Sequence, residues 1–235
     1  MGKDKLVRFE EMAGFTNVFQ PSFDEVFNKD FYLKGKWNEQ VFKNNNPIVL
    51  ELGCGKGEYS VGLAQLYPEK NFIGIDIKGA RMWRGAKIAI ENKLNNVILI
   101  RTIIQHINSF FAADEISEIW ITFPDPQLKR KKLVKKRLTS SLFLSSYKNI
   151  LKQEGIVHLK TDNTTLYNYT LRVIEHNGFT ILVKTDNLYN SDYYDKILSI
   201  KTFYETQFTE LGENIKYIQF KLNKNTPFIE PEYEE

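Results

Sequence analysis

The amino-acid sequence predicts an α/β protein built on one open, mostly parallel sheet of seven strands with helices on both faces. Three observations carry that prediction. Short apolar runs recur from Ile48 onward with helical patterns between them, the alternation that builds parallel sheets through crossover helices. The first run breaks into alternating glycines, Gly53, Gly55 and Gly57, and resumes as a helical pattern, so a strand passes through a tight turn straight into a helix. The second run ends on Asp76, 19 residues after Gly57, where doubly wound folds place the acid that holds a ribose diol.

Taken in order, residues 1–46 show no clear period. They mix basic residues with Phe9, Phe15, Phe19, Phe23, Phe27, Phe31, Tyr32 and Trp37, too many aromatics for a disordered tail. They are expected to form a partly helical arm packed on a single domain of residues 47–235. In that arm Lys3, Lys5, Arg8 and Phe9 read as solvated charge and core packing in preference to a polyanion contact. Strand one is Ile48–Leu52, and Glu58, Val61, Leu63, Ala64 and Leu66 continue as a helix. Asn71–Asp76 is strand two, and Gly79–Leu94 a helix with Ala80, Trp83, Ile90 and Leu94 on one face. Val97–Thr102 is strand three and Glu118–Phe123 strand four. Thr139 is the expected N-cap of a helix carrying Phe143, Tyr147, Ile150 and Leu151, after which Gly155 turns the chain into strand five, Ile156–Leu159. Leu166, Tyr169 and Val173 mark a helix stopped at Asn177-Gly178, before strand six, Phe179–Val183, and strand seven, Ile215–Leu222.

Composition narrows the class. The chain has 235 residues, 42% of them apolar, enough for one sizeable core. The single cysteine, Cys54, excludes an intramolecular disulfide, no Cys/His cluster has metal-ligand spacing, and no apolar run approaches a membrane span. The N-terminus lacks the apolar core of a signal peptide. A cytoplasmic protein with no metal and no membrane contact is expected, and monomer and homodimer are equally open. A net charge of +3 is modest, but it is polarised: Lys129–Arg137 holds seven basic residues in nine positions, and the tail from Glu230 is acidic.

Three further stretches carry chemistry. Phe123-Pro124-Asp125-Pro126 ends strand four; each proline pushes its predecessor out of the helical region, so Phe123 and Asp125 are expected extended, with a stiffly presented carboxylate. The basic run begins three residues later, well placed to hold nucleic-acid phosphates beside the site. Strand five ends in Thr161-Asp162. Asp162 either caps the next helix or accepts the parallel donors of a guanine edge, N1–H and the 2-amino group. Lys201–Glu205 by itself reads as loop. The bulky Glu58 stands where a dinucleotide fingerprint wants its third glycine, which disfavours NAD.

The pattern Glu51-Leu-Gly-Cys-Gly-x-Gly57 with Asp76 resembles the cofactor site of class I S-adenosylmethionine-dependent methyltransferases. With Phe123-Pro-Asp-Pro126, the following Lys129, Thr161-Asp162 and Thr202-Phe-Tyr-Glu205, it resembles the bacterial tRNA (guanine-N7-)-methyltransferases of the TrmB family, from about Val49 to Glu205. The resemblance implies a Rossmann-like methyltransferase fold, S-adenosyl-L-methionine as cofactor, and tRNA as substrate, methylated at a guanosine of the variable loop (position 46). It implies that Gly53, Gly55 and Gly57 accommodate the methionine part, that Glu51, Asp76 and Asp125 contact the cofactor or lie beside it, and that Asp125 is catalytic. It implies that Lys129, Asp162, Thr202, Phe203, Tyr204 and Glu205 meet the tRNA. Where the family has an acid near the adenine this chain reads Arg101-Thr102-Ile103-Ile104-Gln105; Ile103 has no side-chain acceptor, which leaves Thr102, Gln105 or a backbone group for that contact. Two other readings stay open: a methyltransferase for another RNA or a small molecule, and a non-catalytic RNA-binding protein on the same fold.

Overall fold

A computed structural model of the chain describes residues 3–128 and 131–232. Eight strands form one sheet: β1 (Val18–Phe19), β2 (Ile48–Leu52), β3 (Asn71–Asp76), β4 (Val97–Arg101), β5 (Ile116–Thr122), β6 (Leu151–Thr161), β7 (Thr180–Thr185) and β8 (Lys216–Lys221). Their order is β1-β4-β3-β2-β5-β6-β8-β7. The first six are parallel, and β8 runs antiparallel between β6 and β7. The helices are α1 (Lys3–Ala13), α2 (Phe23–Val26), α3 (Glu58–Leu66), α4 (Gly79–Glu91), α5 (Ile107–Phe110), α6 (Ser141–Ile150), α7 (Thr164–His176) and α8 (Phe203–Glu210).

β2 is buried at every residue and β3 at all but Asp76, as expected of parallel strands covered on both faces. The order runs outward from β2 through β3 to β4 on one side and from β5 to β6 on the other. It therefore reverses between β2 and β5, and a crevice opens at their carboxyl ends.

Four elements differ from the sequence-based expectation. The eighth strand is the two-residue β1, which adds parallel to β4; two residues are too short to show a period. The buried face of α4 is Met82, Gly85, Ala86 and Ala89, while Ile90 is exposed and Leu94 lies beyond the helix. Small residues win that face because the chain packs closely there. α6 is capped by Ser140, whose Oγ accepts from the Phe143 N–H, and Thr139 instead hydrogen-bonds Thr170 at 2.8 Å. That helix stops at Ile150, so Leu151 already belongs to β6, whose pairing with β5 is irregular between Ile116 and Glu118.

The segment before β2 is tied to the sheet's helices. Trp37 is fully buried and donates to the Phe110 carbonyl at 2.8 Å. Glu11 of α1 accepts from the Trp83 indole and from Lys87 of α4, each at 2.7 Å. Phe9 lies against Gly79 and under the Arg101 guanidinium. Among the described residues no helix is long and apolar enough to cross a membrane, and no group of His, Cys, Asp and Glu is arranged to hold a metal ion.

Candidate active site

The glycine turn leaves β2 with Gly53, Gly55 and Gly57 at φ of 78°, 55° and 72°, a region that glycine enters without steric cost. The Gly53 and Cys54 N–H groups both donate to the Ile75 carbonyl, at 2.8 and 3.0 Å, which pins the turn to the end of β3. Asp76 then ties both sides together: one carboxylate oxygen accepts from Gly55 N–H at 2.9 Å and the other from Lys78 N–H at 2.7 Å. From behind, α4 packs backbone to backbone on the turn. A Cβ at Gly85 would lie 2.4 Å from the Lys56 carbonyl oxygen.

Glu51 sits beneath this turn, 3% exposed. It accepts from the Ser60 N–H at 2.9 Å, the Ser60 hydroxyl at 2.5 Å and the Thr122 hydroxyl at 2.7 Å. Burial pushes its pKa up to about 7, against the pull of those donors.

At the end of β5 the chain turns more sharply than its prolines suggest. Phe123 has a φ of 47° and so is not extended, although its N–H still continues the ladder to the Lys160 carbonyl at 2.8 Å. A non-glycine residue in this region costs about 1–3 kcal/mol. The surroundings fix it: the Phe123 ring stacks on Phe208 with centroids 6.1 Å apart, and Gln127, also at positive φ, donates its N–H to Asp125 at 2.9 Å. Arg137, the last member of the basic run, is buried. It donates to the Pro126 carbonyl at 2.9 Å with its guanidinium 4.3 Å from the Tyr169 ring centre. One residue of that run thus braces the Pro-Asp-Pro turn from below.

Asp162, at the end of β6, does not cap α7; Asn163 does, accepting from the Leu166 N–H at 2.9 Å. The Asp162 carboxyl is half-buried, and that burial raises its pKa from the ordinary value. Thr202–Glu205 is not a loop but the start of α8, closed by a capping box between Thr202 and Glu205. Glu205 is fully buried against Lys160, 2.7 Å away, and also accepts from the Tyr189 hydroxyl at 2.6 Å. Lys160 donates as well to the Leu198 and Ile200 carbonyls, and its burial lowers its pKa. Two contacts hold this segment to the glycine turn: the Phe203 N–H donates to Glu58 at 2.6 Å, and the Lys56 ammonium lies 3.3 Å from the Phe203 ring centre.

These pieces surround one cavity of about 620 Å³, a size suited to a nucleoside cofactor with part of a substrate. Gly53, Gly55, Asp76, Asp125, Asp162, Thr202, Phe203 and Tyr204 line it. Of the other residues singled out from sequence, Glu51, Gly57, Thr102 and Glu205 lie behind the wall, and Lys129 lies outside the described residues. Thr102, the residue after β4, is buried, with its N–H on the Asp76 carbonyl at 3.1 Å. Next to it the wall is the apolar Ile104, with neither Ile103 nor Gln105 in the lining. Sequence reasoning missed Glu58, Gly85, Lys160 and Arg137 as supports. Only Gly85 left a signal, as an isolated glycine inside a helical pattern.

Residues 45–218 match a family model described as "Putative methyltransferase". The chain is 56% identical over 221 residues to the tRNA (guanine-N(7)-)-methyltransferase of Christiangramia forsetii, covering 94% of this chain and 98% of that one. It is 50% identical over 234 residues to the same-named protein of Bacteroides fragilis, covering all of this chain and 92% of that one. Among solved structures, the 16S rRNA methyltransferase KamB superposes with a TM-score of 0.60 at 12% identity, over 78% of this chain and 91% of the other, a likeness of fold alone.

Proposed function

Since this chain belongs to the bacterial tRNA (guanine-N7-)-methyltransferase family, we propose that its cavity binds S-adenosylmethionine against the glycine turn and holds a guanine of tRNA between Asp125 and Asp162. The observation that carries this reading is the meeting of three strand-end acids in one cavity: Asp76 from β3, Asp125 just after β5 and Asp162 just after β6. The sequence identity to same-named relatives along nearly the whole chain favours it over a small-molecule or non-catalytic alternative.

The residues present fit the cofactor. Asp76 uses one lone pair of each oxygen on Gly55 and Lys78, which leaves acceptor capacity for a ribose diol. Gly53 and Gly55 let the ligand approach the backbone, while Ile77 and Ile104 supply apolar wall for the adenine. When bound, S-adenosylmethionine supplies an electrophilic methyl: its S–CH3 bond breaks as the guanine N7 lone pair forms the new N–CH3 bond, and the positive charge passes from sulfur to the purine.

That lone pair is available without deprotonation, so the protein's work is alignment and charge. Alignment of two reactants can contribute on the order of 7 kcal/mol or more. Asp125, fixed by the positive-φ turn and by its hydrogen bond from Gln127, holds negative charge where the purine becomes positive. Asp162 orients the base through the guanine N1–H and 2-amino donors, which requires its ionised form. Glu51 acts from behind the turn, fixing Ser60 in the first turn of α3. Glu205 acts likewise at the rim, as a positioning residue that holds Thr202, Phe203 and Tyr204 over the cavity. Methylation takes place in the variable loop of the tRNA, in the cytoplasm.

The test is Asp125→Ala assayed on unmodified tRNA. The expected result is a fall in kcat of about 100-fold or more, with the dissociation constant for S-adenosylmethionine within about two-fold of wild type. Near-normal turnover would remove Asp125 from the mechanism.

A further inference from the structure

A second concavity, of about 580 Å³, lies between α1 and α4. Its walls carry Arg8 from α1, Lys56 from the glycine turn, and Arg81, Arg84 and Lys87 from α4, with Trp83 among them; Glu91 is the only acid in the lining. The α4 cations recur every three residues and so form one stripe about 9 Å long. Trp83 is held in place, its indole N–H on Glu11 at 2.7 Å, with the Arg8 guanidinium 5.1 Å and the Lys87 ammonium 5.0 Å from its ring centre. Among the described residues, Arg8, Lys56, Arg81 and Arg84 make no ion pair.

This arrangement is not an ordinary solvated face. Cations from three separate segments converge on one groove, where their fields add. The groove also runs into the catalytic cavity, because Lys56 and Arg81 line both. At that junction the Lys56 ammonium rests on Phe203 and the Arg81 guanidinium on Tyr204, so aromatic faces interleave with positive charge as single-stranded nucleic acid requires. A groove longer than one phosphate and continuous with the site, in which Glu11 is taken up by Trp83 and Lys87 and Arg8, Lys56, Arg81 and Arg84 have no acid partner among the described residues, suits a chain of phosphates better than a small anion.

We propose that the groove between α1 and α4 carries the sugar–phosphate backbone of the tRNA on its way to the catalytic cavity, held by Arg8, Arg81 and Arg84. The inference rests on the assignment of tRNA as the substrate. It makes α1 part of the RNA-binding surface, a role that aromatic packing alone does not give it.

The experiment compares wild-type protein with Arg8→Ala/Arg84→Ala, two exposed positions that do not line the catalytic cavity. Unmodified tRNA binding is measured over a salt series, and steady-state kinetics at one salt concentration. The double variant is expected to lower the slope of log affinity against log salt by about 2. Its KM for tRNA should rise on the order of ten-fold, with kcat and S-adenosylmethionine affinity within about two-fold. Arg8→Lys/Arg84→Lys should restore the slope. Lys152→Ala/Lys184→Ala removes the same charge at the start of β6 and on the edge strand β7, and should leave slope and KM near wild type. An unchanged slope and KM in the alanine variant, or an equal change in the Lys152/Lys184 control, overturns the groove while leaving the tRNA reading intact. No methylation of tRNA by the wild-type protein overturns both.

Discussion

Replacing Glu205 by Ala should destabilise the protein by about 3–5 kcal/mol, because the change strands a buried ammonium. Lys160 and Glu205 are both fully buried, with nitrogen to oxygen distances of 2.7 and 2.9 Å. Truncation leaves Lys160 only the Leu198 and Ile200 carbonyls, at 2.7 and 3.2 Å, with no opposite charge in contact with it. It also removes the acceptor of the Tyr189 hydroxyl and opens the capping box at Thr202. The assay is urea denaturation of wild type, Glu205→Ala and the apolar pair Lys160→Met/Glu205→Leu. The pair should recover most of the loss, since replacing both partners leaves no orphaned charge. Activity on tRNA should fall in Glu205→Ala, because Thr202, Phe203 and Tyr204 lose the anchor that holds them over the cavity. A stability loss under about 1 kcal/mol, together with a raised KM for tRNA, would refute this reasoning and give the Glu205 carboxylate a direct contact with RNA.

Three other substitutions probe the cavity and its supports. The native Glu51 pKa stands at about 7 against 4.5 for the free group, so the native state binds the proton more tightly and stability falls as pH rises from about 4.5 to 7, then levels off. Glu51→Gln keeps acceptors for Ser60 and can donate to Thr122; urea midpoints at pH 5 and pH 8 should then differ less than in wild type, by about 2.5 kcal/mol in free energy, and an unchanged difference would contradict the buried-carboxyl account. Gly85→Ala places a Cβ 2.4 Å from the Lys56 carbonyl oxygen; thermal melting should report a loss of about 1–3 kcal/mol and calorimetry a weaker S-adenosylmethionine complex, whereas a neutral variant would mean the turn and α4 are not in backbone contact. Asp76→Asn cannot accept from both Gly55 and Lys78 and lacks the charge proposed to meet the ribose, so cofactor affinity should drop about ten-fold or more; wild-type affinity would exclude Asp76 from the cofactor site.

The parallel sheet was legible because buried strands between helices leave continuous apolar runs, and β2 to β6 each carry one. β1 was invisible for the opposite reason: Val18 and Phe19 pair with β4 through tertiary context, not through any period of their own. The face of α4 was misread since large apolar residues usually mark the core, yet here Gly85 and Ala86 face inward where the glycine turn must come close. Around the site, the acids could be found at strand ends, where topology dictates the crevice. What sequence could not separate was exposure from support. Lys160 and Arg137 look like surface cations in a one-dimensional reading, and only the folded chain brings Glu205 to one and the Pro126 carbonyl to the other. The turn at Phe123 shows a local rule overridden in the same way, since aromatic packing on Phe208 and the ladder bond to Lys160 outweigh the preference of a pre-proline residue.

The measurement that bears most directly on the central claim is incubation of the protein with S-adenosylmethionine and unmodified tRNA, followed by nuclease digestion and mass spectrometry of the fragments. The expected product is 7-methylguanosine, confined to a fragment from the variable loop and greatly reduced with Asp125→Ala. Methyl groups on another nucleoside, or none at all from a protein that still binds the cofactor, would contradict it.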